Sequence, residues 1–420
     1  MVYHHVGAVL LALGLVFNTP IALADGGQYS EFAQAPPELS RFVLSAVEAN
    51  PRMLAARATL RATQSLKTAA SRPLYNPEVS FEAEDADAET RSIGISQTFD
   101  WGGKRQARTA VAEAEWLAAQ SEFISTRWHV MADTLSALAA YQASDARYQL
   151  AVDRERLMRD FSDLAGRRFA AGDLNQAEAD LAVLASVEAR MHKSTVGTEI
   201  AETRQEMRNL VVHQPAETWP VLSGDFPDIS SVVDDPQSRV LQLPDVVSSQ
   251  RRVELASAEV ELRRKEQRPD PTVGLAGGEE DDKSLVALEI SIPLYVRNRF
   301  DNEVEAAIAL RSQAQQVADD VLRRAYTRLV SATERYELAW ASWEDWQDTG
   351  QVSIDRRTGQ LKQLWESGEI STTDYLVQLQ QTLDVQESAL DLREALWRAW
   401  FEWLVASGQI DNWLGQDAST

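Results

Sequence analysis

Cysteine is missing from all 420 residues. Its absence excludes a disulfide framework, thiolate metal sites and a lipid-modified N-terminal cysteine. Past the first residues, no stretch reaches the ~18 consecutive apolar side chains of a membrane-spanning helix. Basic residues are the minority: 41 Lys and Arg against 64 Asp and Glu give a net charge of -23. A chain this acidic lacks the basic surface that phosphates require, so no nucleic-acid partner is expected. There are five histidines, and two of them, His4 and His5, lie at the extreme N-terminus. His129, His192 and His213 are scattered, and Met191-His192 are helix neighbours that face different ways. No Ser/His/Asp arrangement, phosphate loop or pair of catalytic carboxylates stands out. The chain reads as a non-enzyme with no cofactor and no metal site.

The N-terminus reads as a secretory signal over residues 1–24. Val6 to Phe17 is apolar but too short to span a bilayer, and Ala22-Leu23-Ala24 is an A-x-A cleavage site. The flank Met1-Val2-Tyr3-His4-His5 departs from the pattern by carrying no Lys or Arg. An exported chain of this kind is periplasmic, secreted or inserted as β-strands.

What the chain does contain, it contains twice. Pro77, Ile95 and Gly172 recur as Pro271, Ile290 and Gly368, at an offset of about 195 residues. Each half runs through a leading helix, two alternating strands, a long helix, a glycine turn and a return helix. The repeats span 25–213 and 244–409, joined by a Pro-rich linker over 214–243 and followed by a tail over 410–420. A repeat this long is a duplicated half-molecule rather than a solenoid of ~20–50-residue units.

Long helices are predicted over 104–168 and 300–366, with return helices over 174–212 and 371–409. Lys104 to Arg168 is free of proline and rich in strong helix formers. Ala110, Leu117, Ile124, Met131 and Leu138 keep seven-residue spacing, as do Leu322, Leu329, Tyr336 and Trp343. That heptad pattern implies left-handed coiled-coil packing. At ~1.5 Å per residue the long helices reach about 100 Å. Leading and return helices together nearly match that length, so stacking them end to end beside the long rod is the economical arrangement.

Strands are expected at about 78–86, 91–100, 272–277 and 284–293. Val79, Phe81 and Ala83 alternate with polar residues, as do Val286, Leu288 and Ile290, leaving one apolar face. Each is about the ~9–11 residues of a transmembrane β-strand. Trp101 and Tyr295 follow the strand pairs, where an interfacial aromatic girdle would sit. Four strands cannot close a barrel, and lipid tolerates no open edge, so a membrane role requires a barrel shared between identical chains.

Four stretches carry a resemblance to a known family: Asn50-Pro51-Arg52-Met53-Leu54, Asn76-Pro77-Glu78-Val79-Ser80, Gln97 to Arg105, and Ser291 to Asn298. In their order and duplication they resemble the TolC family of outer-membrane efflux proteins. Gly102-Gly103-Lys104-Arg105 and the run over 110–115 are most like its heavy-metal branch. The resemblance implies a mostly α fold with four transmembrane β-strands per chain. It implies a homotrimer whose twelve-stranded barrel in the outer membrane of a Gram-negative bacterium continues into a periplasmic α-helical barrel. It further implies docking to an inner-membrane efflux transporter through a periplasmic adaptor, and contact with outer-membrane lipid. The turns Gly172-Asp173 and Gly368-Glu369 would form the adaptor-contacting mouth. The linker and the tail would form a belt around the middle.

Both turns lead into a capping pattern, Asn175-x-x-Glu178 and Ser371-x-x-Asp374. The resemblance also makes Glu178 and Asp374 candidates for the periplasmic gate, where threefold symmetry would turn each acid into a ring. Trp340, Trp343 and Trp346 are expected to pack against Trp397, Trp400 and Trp403 across antiparallel helices. The competing readings are a periplasmic coiled-coil adaptor and a structural coiled-coil protein.

Overall fold

The computed structural model describes residues 34–85, 89–212, 214–223, 226–227, 229, 236–281 and 283–416. The signal expected over residues 1–24 lies outside the described residues. In chain order the elements are α1 (Pro37–Ala49), α2 (Pro51–Ala70), β1 (Glu78–Asp85), β2 (Glu89–Thr98), α3 (Lys104–Ala171) and α4 (Gln176–Leu210). Then follow α5 (Pro236–Val240), α6 (Pro244–Glu266), β3 (Thr272–Glu280), β4 (Lys283–Ser291), α7 (Asp301–Asp345), α8 (Gln351–Glu366), α9 (Thr372–Ala406) and α10 (Ile410–Trp413).

Proline opens α1, α2 and α6, where its missing N–H breaks no helical bond. Asn50 caps α2 by accepting from Arg52 N at 2.9 Å. The single rod α3 has 68 residues. Helices α2 and α4 lie along α3, and α6 and α9 also pack on it. Near the sheet the helices form a wall in the order α2–α3–α6–α7; further away the order is α4–α3–α9–α8.

The second rod is not the uninterrupted helix expected over 300–366. A π turn at Trp346–Gly350 divides it into α7 and α8. The Trp346 ring lies over the bare Cα of Gly350, where a Cβ would fall 2.1 Å from it. Only glycine admits the indole there, and the wider turn absorbs the extra residue.

The strands form one antiparallel sheet in the order β1-β2-β3-β4. Register aligns Val79, Ile95, Leu275 and Leu288 in one row, and Phe81, Ile93, Gly277 and Val286 in the next. Several strand boundaries differ from expectation. The ladder runs through Gly277 and Gly278 to pair Glu280 with Lys283, so the second hairpin link is far shorter than the pattern over Gly277–Ser284 suggests. Strand β2 starts earlier, at Glu89, and ends at Thr98. Cross-strand pairing outweighs the poor strand propensity of glycine.

The main core is equatorial. Leu39, Phe42 and Val43 of α1 meet Met131, Leu135 and Leu138 of α3, Tyr336 of α7, and Trp400, Phe401 and Trp403 of α9. The linker adds Trp219, Leu222 and Ile229, and the tail adds Ile410 and Trp413. Helix α1 is a belt element with no counterpart in the sequence reading. The tryptophan expectation holds on one side only. Trp397, Trp400 and Trp403 are buried, but Trp340 and Trp343 sit at the margin. From α7 and the linker, Tyr336 instead meets Trp400 at 5.3 Å and Phe226 meets Trp397 at 4.4 Å. Tyr336 also donates its hydroxyl to Pro227 O at 2.6 Å.

Candidate functional site

Two regions carry functional geometry: the sheet and the paired turns at the far end of the helices. On the sheet, the apolar row is bare. Val79 is 73% exposed, Phe81 76%, Val286 78% and Leu288 68%. The opposite face carries Glu78, Ser80, Glu82, Ser92, Ser96 and Glu289. A sheet with its apolar face outward and its polar face inward has the layout of a membrane barrel wall, not of a soluble sheet. Among the described residues no helix is long and apolar enough to cross a membrane.

At the sheet-to-helix neck, Trp101 is exposed and Tyr295 packs edge-on against Phe300 at 5.1 Å. Asp100 accepts from the backbone N–H groups of Lys104 and Arg105 at 2.8 and 2.7 Å, starting α3. Buried Asp270 takes the Lys104 ammonium at 2.9 Å and the Tyr75 hydroxyl at 2.7 Å, joining the two repeats. The hydrogen bond to that carboxylate, which would be lost on ionisation, pushes the Tyr75 phenol up to about 12.

The two turns lie together. Gly172 and Gly368 adopt φ of 87° and 77°, which side chains with a Cβ resist. Asp173 N–H reaches back to Arg168 O at 2.8 Å and Glu369 N–H to Leu364 O at 2.9 Å, closing both helices by Schellman-type bonds. Arg168 then donates to Glu366 O at 2.9 Å and stacks over the Trp365 ring at 4.7 Å. Phe161, Trp365 and Tyr375 form the aromatic centre beneath, with Trp365 and Tyr375 stacked at 5.0 Å. Burial pushes the Tyr375 phenol up.

Glu178 and Asp374 do different work at equivalent places. The Asn175 side chain accepts from Glu178 N at 3.0 Å, and the Glu178 carboxylate accepts from Asn175 N at 3.1 Å, completing a capping box. Ser371 accepts from Asp374 N at 3.1 Å and donates its hydroxyl to the Asp374 carboxylate at 2.7 Å. The shorter aspartate makes no bond to the Ser371 backbone, so the second cap is half a box.

Higher up, polar bridges tie α9 to the first repeat. Arg147, with its side chain 10% exposed, binds Asp391 at 2.8 Å, Glu394 at 2.9 Å and also Glu199. His192 lies 3.5 Å from Glu387. On α3, His129 lies 3.3 Å from Asp245 of α6, whose hydrogen bond holds the imidazole above its ordinary range. Sequence reading found none of these bridges. Each joins residues far apart in the chain, and charged residues on a helix face look alike until a partner is placed beside them.

Residues 43–211 match the outer membrane efflux protein family. The nickel-cobalt-cadmium resistance protein NccC of Alcaligenes xylosoxydans xylosoxydans is 26% identical over 326 residues, covering 72% of each chain. The nickel and cobalt resistance protein CnrC of Cupriavidus metallidurans is 26% identical over 338 residues, covering 77% of this chain and 78% of its own. The solved Campylobacter jejuni CmeC outer membrane channel superposes with a TM-score of 0.77 at 13% identity, covering 94% of this chain and 92% of its own. The fold, a four-stranded sheet on long duplicated helices, is that of such channels. By sequence residues 43–211, and by fold the described chain as a whole, are thus similar to outer membrane efflux proteins.

Proposed function

We propose that this protein is the exit duct of a tripartite efflux system and that it conducts heavy-metal cations. The observation that carries the reading is the bare apolar sheet face whose edge strands, β1 and β4, each pair on one side only among the described residues. Three chains joined at those edges make a twelve-stranded barrel with no open edge and an interior wide enough for passage. The inner face would then present glutamates from every chain, which favours cations. The names of NccC and CnrC support metal as cargo.

In this reading residues 25–213 and 244–409 are the two repeats, 214–243 the equatorial linker and 410–420 the tail. The turns at Gly172, Asp173, Gly368 and Glu369 meet a periplasmic adaptor, which couples the duct to an inner-membrane transporter. Exposed Leu184 and Val377 beside the turns add apolar contact area for it. Glu178 and Asp374 ring the mouth, up to six carboxylates in a trimer, while also capping their helices. Trp101 and Tyr295 mark the periplasmic membrane boundary.

The test is the oligomer. The mature protein in detergent should scatter light as a trimer and migrate as one on SDS gels until heated. A stable monomer inserted in lipid would sink the shared barrel. For the mouth, replacing Glu178 with Gln and Asp374 with Asn should change single-channel conductance and cation selectivity. A role confined to capping leaves conductance unchanged with at most a small loss of stability, because glutamine at 178 can still close the capping box.

A further inference from the structure

Helices α3 and α6 meet along a polar seam. His129 Nε2 lies 3.3 Å from Asp245 Oδ2, and the other Asp245 oxygen accepts from Ser125. Two turns away, Glu122 accepts from Ser248 at 3.1 Å and from Arg252 at 2.8 Å. The seam opens onto a groove of about 780 Å³ lined by residues of α2, α3, α6 and α7, with Leu243 and the end of α9 (Val405, Ala406) beside the equatorial core. The other side of α3, with Met131, Leu135 and Leu138, is sealed in the equatorial core. In the duct reading above, this groove is assigned to the inner face of the ring that three such walls would form.

We propose that His129 and Asp245 form a weak landing site for divalent transition-metal cargo on the duct wall, an inference that rests on the efflux reading above. Imidazole nitrogen and carboxylate oxygen bind such ions at about 2.0–2.2 Å. Two ligands at that distance and near-right angles around one ion lie about 3 Å apart, close to the spacing already present between His129 and Asp245. The ligand pair suits nickel, cobalt or zinc better than the hard ions magnesium and calcium, which take oxygen only. Both side chains remain partly exposed, at 39% and 44%. The groove holds many times the ~30 Å³ of a water molecule, so the ion keeps most of its shell.

Among the described residues no group of three or more His, Asp or Glu could hold a metal. Two protein ligands completed by water bind weakly, and weak binding is what conduction needs, because a tightly held ion does not leave. The neighbouring cations are engaged elsewhere: Arg52 with Asp133 at 2.7 Å and Arg252 with Glu122. Arg328 of α7 lies 3.8 Å from Glu402, and its charge also reaches His129 and Asp245, which keeps the site weak.

The experiment titrates Co²⁺ alone into the full-length protein in detergent, read by calorimetry and by the visible absorption of the bound ion. The expected result is one ion per chain at this site. His129→Gln and Asp245→Asn should each weaken binding by at least the ~10-fold typical of losing even an outer-shell partner. Glu122→Gln, which leaves the pair intact, should bind as wild type. Thermal unfolding of each variant shows whether it is folded. Co²⁺ affinity unchanged in folded His129→Gln overturns the site, as does an equal loss in Glu122→Gln. Potassium conductance in a planar bilayer separates the two levels of inference. No conductance from any variant or from wild type refutes the duct, whereas conductance with identical Co²⁺ affinities refutes only the landing site.

Discussion

Replacing Leu288 with arginine puts the membrane assignment of the sheet to its sharpest test. Strand β4 has nine residues, and Leu288 adjoins its central residue. At ~3.4 Å per residue and ~45° tilt the strand covers about 22 Å of bilayer, close to the ~25 Å apolar band of outer-membrane barrels. Leu288 therefore sits near the midplane, in the exposed row with Val79, Ile95 and Leu275. An arginine on the lipid face at that depth costs about 2–4 kcal/mol. At ~1.4 kcal/mol per decade, the folded population in lipid falls by a factor of roughly 30 to 800 per chain. The internal control is Ala287→Arg, one residue away on the other face. There the row is Ser80, Gly94, Ala276 and Ala287, small enough to leave an arginine room in the lumen. Urea unfolding in vesicles and heat-modifiable gel migration should report a large loss for Leu288→Arg and a small one for Ala287→Arg. Equal losses in the two variants would refute the assignment of faces, and with it the barrel.

Other consequences are local. Arg147→Met leaves three carboxylates facing one another; because Asp391 and Glu199 are partly solvated, the cost should be about 1.5–3 kcal/mol in urea unfolding. Trp365→Ala empties the aromatic centre beneath the turns and should cost about 3–5 kcal/mol, seen as faster amide exchange in α8 and at the start of α9. Tyr336→Phe removes one hydrogen bond to Pro227 and should lower stability by about 0.5–1.5 kcal/mol, so an unchanged melting temperature would argue against that bond. Asn175→Ala should destabilise more than Ser371→Ala, because only the first cap is a complete box; equal effects on urea midpoints would contradict the difference between them.

What the sequence determined by itself is whatever periodicity and punctuation encode locally. The heptads of α3, the alternation of β1 and β4, and the glycines at 172 and 368 each act within a few residues. The duplication then orders them, and the stretches around Asn50, Asn76, Gln97 and Ser291 point to the family. Tertiary structure alone decided what depends on partners distant in the chain. Gly277 and Gly278 read as a link but continue a strand, because their neighbours on β2 and β4 supply the ladder bonds. Helix α1 reads as an unremarkable segment until α3 and α9 offer it a core. The π turn needs the Trp346 ring placed over Gly350, a contact no propensity scale contains. Among Trp340, Trp343, Trp346, Trp397, Trp400 and Trp403, burial fell to the three on α9, because α1, the linker and α10 close over that side of the wall and leave Trp340 and Trp343 at its edge. The charged bridges from Arg147 and His129 follow the same rule: a helix displays its charges in sequence, but packing selects which of them meet.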